Sequence, residues 1–552
     1  MKTILVKNYL INTKHQHMKF NIKPLAYLFV SSALFMGCGG TADILSTPVE
    51  NIDTSPLKVT ELTEAEKKNW GHLDLERDTI PGMAVDRAYE EIIKGKKGKK
   101  VIVAVIDSGI DIDHEDLDDV IWTNKDEIPN NGKDDDKNGY IDDIHGWNFL
   151  GDAYDEQLEY VRMIAAKDTS NPRYDEAVAL QASEYEKWLG RKTQYDQIYQ
   201  RVVSADETLA KATGKEDYTK EDVNAIDSQD EAVQQAKGMA QYMYSNGLES
   251  MADAKKEIKE ALESINERLN YNLNINFSGR TTKDDINDLT DVGYGNGNVK
   301  HVKKSESHGT HVAGIIAAER NNGLGANGVA NNVEIMALRV VPNGDEYDKD
   351  VALSIRYAVD NGAKVINGSF GKSFSPHSEW VRDAIKYAAD NDVVFVHAAG
   401  NDSNNVDVEP NFPDDNVNFV EVADNYIRVG SLTQNYGSKM VSGFSNYGKQ
   451  NVDVFAPGSS VYSTTPENEY DFKGGTSMAA PGVAGIAALI RSQYPKLTAA
   501  QVKQVILDSG LPLTTKVIVG GDANNVKPFA DLSKSGKIVN AYNALIMASK
   551  IK

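Results

Sequence analysis

Apolar positions in this chain fall into two patterns. The run Val101-Ile102-Val103-Ala104-Val105-Ile106 is continuously apolar and ends on Asp107, which predicts a strand covered on both faces in a parallel sheet. Residues 333–341, 362–367 and 393–396 read as further strands, and so does 451–458. The stretch 350–360 is amphipathic and predicts a helix between two of them. Such strand–helix alternation predicts an α/β fold around a mostly parallel central sheet. After Ser509-Gly510 a short tail follows, with one more helix predicted near 538–549 and no assignable role.

Two glycine-punctuated segments open small-residue helices. In Gly474-Gly475-Thr476-Ser477-Met478-Ala479-Ala480-Pro481 a serine stands at the helix mouth, with Pro481 expected in the first turn, where a missing N–H is harmless. Unpaired N–H groups at that positive end suit a developing oxyanion, although a serine N-cap would look the same in isolation. The second segment, His308-Gly309-Thr310-His311-Val312-Ala313-Gly314, offers two histidines, one of which can act as general base. Asp107 completes the set, at the carboxyl end of a strand where open α/β sheets place their sites.

In these blocks, and in their Asp, His, Ser chain order, the sequence resembles the subtilisin-like serine proteases. The resemblance covers about residues 70–150 and 290–512 and implies a three-layer α/β fold with a mostly parallel sheet. It implies Asp107 as orienting acid, His308 as base and Ser477 as nucleophile, leaving His311 as a packed structural histidine. Val396-His397-Ala398-Ala399-Gly400-Asn401 resembles the family's oxyanion-hole segment, with Asn401 as amide donor. In the family the segment matching Asn367-Gly368-Ser369-Phe370-Gly371 pairs its backbone with an extended peptide. The resemblance therefore implies protein or peptide substrates, with Ser369, Phe370, Gly371, Ala398, Ala399 and Gly400 lining a pocket suited to a large apolar side chain.

About two hundred residues separate Asp107 from His308, where family members need a few tens. Much of the excess, residues 151–289, is rich in Glu, Lys, Gln, Ala and Tyr and predicts an α-helical insertion. Trp188, Tyr195 and Val202 recur every seven residues, while Ile258, Leu262, Ile265 and Leu269 follow four-three-four spacing. Two long helices paired as an antiparallel hairpin would satisfy both stripes. The stripes either close the insertion's own core or form a protein-partner arm or gate over the cleft.

Asp134, Asp136 and Asn138, followed by Gly139, reproduce the first half of a calcium loop. The second half departs, because His145 stands where such a loop places glutamate; Asp142 or Asp143 can close the shell, with the Tyr140 carbonyl contributing. A structural calcium ion bracing a surface loop is the expected cofactor, and a solvated acidic turn is the alternative. The proposed acyl chemistry needs no metal.

Composition and the leader then fix the address. The 552 residues exceed one ordinary domain, and their 41% hydrophobic content suffices for a large core. A short apolar run, 25–37, follows Lys19 and Lys23 and precedes Cys38, the only cysteine, in a pattern that resembles a bacterial lipobox. The expectation is a signal peptide over 1–37, lipidation at Cys38, and export from a bacterial cell as a membrane-anchored lipoprotein on the periplasmic or cell-surface side. Residues 38–69 read as a tether, since Thr47-Pro48 and Ser55-Pro56 disfavour helix, and 513–552 as a C-terminal extension packed on the catalytic domain. Loss of 1–37 removes five lysines and no acid, moving the formal charge from −22 to −27, which argues against nucleic acid as a partner. The expected function is a serine endopeptidase. A narrow processing protease, or an inactive protease-fold adaptor working through the insertion, are the alternatives.

Overall fold

The computed structural model of the chain describes residues 46–50 and 52–551. The expected signal peptide and Cys38 lie outside the described residues. The chain separates into two compact units, one containing Ala179–Leu273 and the other Ile44–Val178 with Asn274–Lys552.

The larger unit is built on one nine-stranded sheet. Its strands are β1 Val101–Asp107, β2 Gly146–Asn148, β3 Val333–Arg339, β4 Val365–Gly368, β5 Val394–Ala398, β6 Tyr426–Leu432, β7 Val454–Pro457, β8 Leu511–Pro512 and β9 Lys537–Ile538. Their spatial order is β8-β9-β7-β6-β5-β4-β1-β3-β2, and every neighbouring pair is parallel except β8 with β9. Successive residues of one strand serve opposite layers. Val103 and Val105 pack with the helices His308–Ala317, Thr476–Gln493 and Ala499–Ser509, whereas Ala104 and Ile106 pack with Asp348–Asp360 and Ser378–Asp390. This double burial is why β1 reads as an unbroken apolar run. The fold is thus the expected three-layer α/β architecture with a mostly parallel sheet, of the subtilisin-like kind.

The N-terminal end of the larger unit differs from the tether expected of it. Within the stretch read as a tether, Ile52 is buried beside Leu511 and Val517, and the Val49 N–H donates to Asn543 Oδ1. Thr63 opens a helix at Glu64–Asn69 through a capping box with Glu66, a Thr-x-x-Glu signal beyond the reach of the two prolines. At the other end, β9 adds to the main sheet beside β7, and Ala541–Ala548 contributes Tyr542, Leu545 and Ile546 to the main core. The tail is therefore part of the sheet and its core.

Among the described residues the smaller unit carries a series of helical segments in place of the expected hairpin. Helix Tyr174–Thr213 runs into it, followed by Lys220–Ala225, Glu231–Ser245 and Met251–Glu267. Local signals divide the middle: Gly214 and Gly247 adopt positive φ, and Thr219, Asp230 and Ser250 accept hydrogen bonds from first-turn N–H groups. Val202, Leu209, Val223, Ala240, Met251 and Ala254 form its core, with Ile258 against them. Ile265 and Leu269 are also buried, while Trp188 and Tyr195 are only partly covered.

Candidate active site

Asp107 ends β1, and its buried carboxylate accepts from the Ser108 N–H and meets His308 Nδ1 at 2.7 Å through Oδ1. His308 is the first residue of its helix. Gly309 makes that approach possible, because a Cβ there would stand 2.3 Å from the Gly109 carbonyl oxygen and 3.2 Å from Asp107 Cβ. Burial opposes the charged imidazole, but the charge and hydrogen bond of Asp107 outweigh it and hold the His308 pKa above its ordinary value. His311 behaves differently. It is buried with Nε2 3.1 Å from the Asp471 carbonyl, and burial pushes its pKa down to about 3, so it stays neutral and packs.

Ser477 is the second residue of helix Thr476–Gln493. Pro481 falls in the second turn and not the first, so its missing N–H leaves the Ser477 carbonyl without its helical donor. The Ser369 hydroxyl fills that vacancy at 2.9 Å, and Ser477 Oγ donates back to the Ser369 carbonyl at 3.1 Å. Among the described residues no hydrogen bond joins Ser477 to His308 in this conformer. Asn401 is exposed, and its Oδ1 accepts from Thr476 N at 2.8 Å and Thr476 Oγ1 at 3.1 Å, while its Nδ2 makes no hydrogen bond among the described residues. Gly400 has φ +98°, and a Cβ there would lie 2.4 Å from Asn446 Nδ2. Ser369, Phe370, Ala398 and Ala399 are buried, and Gly371 is exposed at the end of its segment.

Beneath Asp107 lies a pair that sequence reasoning missed. Arg339 sits opposite Asp107 in the β1–β3 register, is fully buried, and donates to Ser108 O at 3.0 Å and to Glu306 Oε1 at 3.0 Å. It thereby ties the acid's strand end to the segment two residues before the base. An arginine closing an apolar strand was the available signal.

The acidic loop divides into two groups. Glu127, Asp134 and Asp136 each bring a carboxylate oxygen within 4.8 Å of the others. Glu127 is buried, its Oε1 accepts from the Asp135 and Asp136 N–H groups, and its buried Oε2 has no hydrogen-bond partner among the described residues. Asn138 donates through Nδ2 to Asp136 and to Asp143. Asp142 instead accepts from the N–H groups of Asn131 and Gly132, closing the loop on itself. Asp143 is buried, and the hydroxyl of Tyr357 donates to it at 2.5 Å, while the Tyr140 ring packs on Trp147 and Tyr357. Burial raises the Asp143 pKa, against the pull of these donors. Glu127 was absent from the sequence reading because it precedes the loop.

An imidazole is thus anchored by a carboxylate at the end of a parallel sheet where a helix-borne serine also lies. The chain belongs to the subtilase family, whose model matches residues 98–527. It is 44% identical over 188 residues to the thermophilic serine proteinase of Bacillus sp. (strain AK1), an alignment covering 34% of this chain and 43% of that protein. It is 43% identical to thermitase of Thermoactinomyces vulgaris, covering 35% of this chain and 63% of that protein. With subtilisin DY of Bacillus licheniformis the identity is 37%, covering 40% of this chain and 77% of that protein. The matched stretch thus spans less than two thirds of the first two relatives.

Proposed function

We propose that this chain is a serine endopeptidase that hydrolyses peptide bonds through an acyl-enzyme. The observation that carries the reading is the 2.7 Å contact between His308 Nδ1 and Asp107 at the sheet end where the Ser477 helix begins. With Nδ1 committed to Asp107, Nε2 is the free base. Ser477 Oγ–H leaves the Ser369 carbonyl, gives its proton to Nε2 and attacks the scissile carbonyl. The same proton passes to the leaving amine, and water then repeats the sequence to release the acid. Asp107 fixes the tautomer and stabilises the imidazolium without taking the proton. The oxyanion is held by Asn401 Nδ2 and the Ser477 N–H, each such donor lowering the barrier by about 3–4 kcal/mol.

Substrates on this reading are proteins and peptides, laid along Ser369–Gly371 with a side chain between that segment and Ala398–Gly400. A calcium ion would be held by Glu127, Asp134 and Asp136, supported by the buried Glu127 oxygen that has no hydrogen-bond partner among the described residues. Its role would be to brace the loop ahead of β2, outside the chemistry. Cys38 is proposed as a lipid-modified anchor on an exported protein. Casein and blocked peptide anilides test the enzymatic reading: the wild-type chain cleaves both, His308→Ala neither, and a wild-type chain inert towards every peptide would refute it.

A further inference from the structure

Three polar side chains lie where the sheet is otherwise apolar. His397 of β5 faces Arg428 of β6 in register, and Tyr426 lies two residues before Arg428 on the same strand. All three are at most 2% exposed, with the Phe395 ring against His397 and Tyr426. A buried guanidinium and two buried polar rings destabilise a core unless their hydrogen bonds are made, so the useful question is where those bonds go.

They end on three backbone carbonyls. His397 Nε2 lies 2.7 Å from the Phe370 carbonyl oxygen. A carbonyl only accepts, so Nε2 carries the proton and Nδ1 accepts, taking the Tyr426 hydroxyl at 2.8 Å. The Tyr426 oxygen is also 2.8 Å from the Pro413 carbonyl, but its one proton is used on His397. Arg428 Nη2 supplies what is missing, reaching Pro413 O at 2.7 Å, Asn411 O at 3.1 Å and the Tyr426 oxygen at 3.3 Å.

Phe370 belongs to the segment proposed to carry substrate. Asn411 stands across from it: a Cβ on Gly371 would lie 3.5 Å from Asn411 Oδ1, and one on Gly400 3.1 Å from Asn411 Nδ2. Lys372 and Phe412 exchange backbone hydrogen bonds at 3.0 and 2.9 Å, which joins the two segments at one end. The 411–413 segment is therefore a third side of the space between Gly371 and Gly400. One connected network beneath it holds both this side and the substrate segment.

We propose that His397, Tyr426 and Arg428 are positioning residues that set the width of the pocket for the side chain preceding the scissile bond, by fixing the carbonyls of Phe370, Asn411 and Pro413. This rests on the protease reading above. None of the three touches the reacting atoms, so their effect falls on the fit of the substrate side chain and much less on bond breaking.

The test uses the full chain and two peptide anilides that differ only in having phenylalanine or alanine before the scissile bond. In His397→Ala the ratio of kcat/KM values for the two peptides is expected to change about fivefold to tenfold, the worth of one buried hydrogen bond, chiefly through KM. His397→Gln, whose amide can reach the Phe370 carbonyl, restores at least half of the change. Tyr426→Phe, which removes a single hydroxyl, moves the ratio in the same direction and serves if the alanine variant does not fold. Equal losses on both peptides, or an unchanged ratio in both variants, would overturn the proposal. A wild-type chain that neither cleaves the anilides nor reacts with a small phosphonofluoridate would instead sink the protease reading, and this inference with it.

Discussion

Ser477 is held in reserve by its neighbours: its hydroxyl rests on Ser369 O, and its carbonyl, freed by Pro481, takes the Ser369 hydroxyl. The His308–Asp107 pair sets when that reserve can be used. The imidazole works as a base only when neutral, and its pKa is raised, so the acid limb of kcat/KM against pH is expected above about 6.5. The sign is reversed for stability. The pair adds stability that is full below the unfolded histidine pKa and is lost as pH rises through the folded value. In Asp107→Asn, burial and the Lys473 charge remain, both opposing the imidazolium, so the limb moves below 6.5 while kcat falls by about four orders of magnitude; a limb that stays in place would contradict this. Asn401→Ala is expected to lower kcat about 100- to 1,000-fold with little change in KM, read from steady-state kinetics on one peptide. At this scale Asp107, His308, Asn401 and Ser477 were legible because each chemistry sits at an element end marked by glycine. Glu306 was not, and Arg339 was marked only as the charged end of an apolar strand, because their pairing spans 33 residues of sequence.

Elements were legible where burial imposes a period. The runs of β1, β3, β4 and β5 were recognised to within a few residues because both faces are covered. Segments governed by single caps were missed: the helix opened by Thr63, and the helices at Lys220–Ala225 and Glu231–Ser245 that replace a hairpin turn. The acidic loop shows both sides. Its Asp-x-Asp-x-Asn-Gly spacing marked it, yet Asp142 and Asp143 turn to the loop backbone and Tyr357, and Glu127 arrives from outside. If calcium occupies this cluster, chelation lowers the melting temperature of the wild-type chain by several degrees, about 2–3 kcal/mol at saturating ion. Glu127→Gln should abolish that difference between calcium and chelator in calorimetry; a variant as responsive as the wild type would refute the assignment.

Across the described residues, a unit of the subtilase family is combined with a helical unit that has a core of its own, to which the predicted stripes contribute Val202 and Ile258. Among the described residues no helix is long and apolar enough to cross a membrane. Replacing Cys38 with serine should move the exported protein from the membrane pellet to the soluble fraction without altering its peptide kinetics; unchanged fractionation would refute the anchor. The central claim is that Ser477 is an acylating nucleophile. Treating the full chain with a fluorophosphonate and mapping the adduct by mass spectrometry tests it most directly: one adduct on Ser477, absent from Ser477→Ala, is the predicted result. No adduct in the wild-type chain, or an equal one in Ser477→Ala, would contradict it.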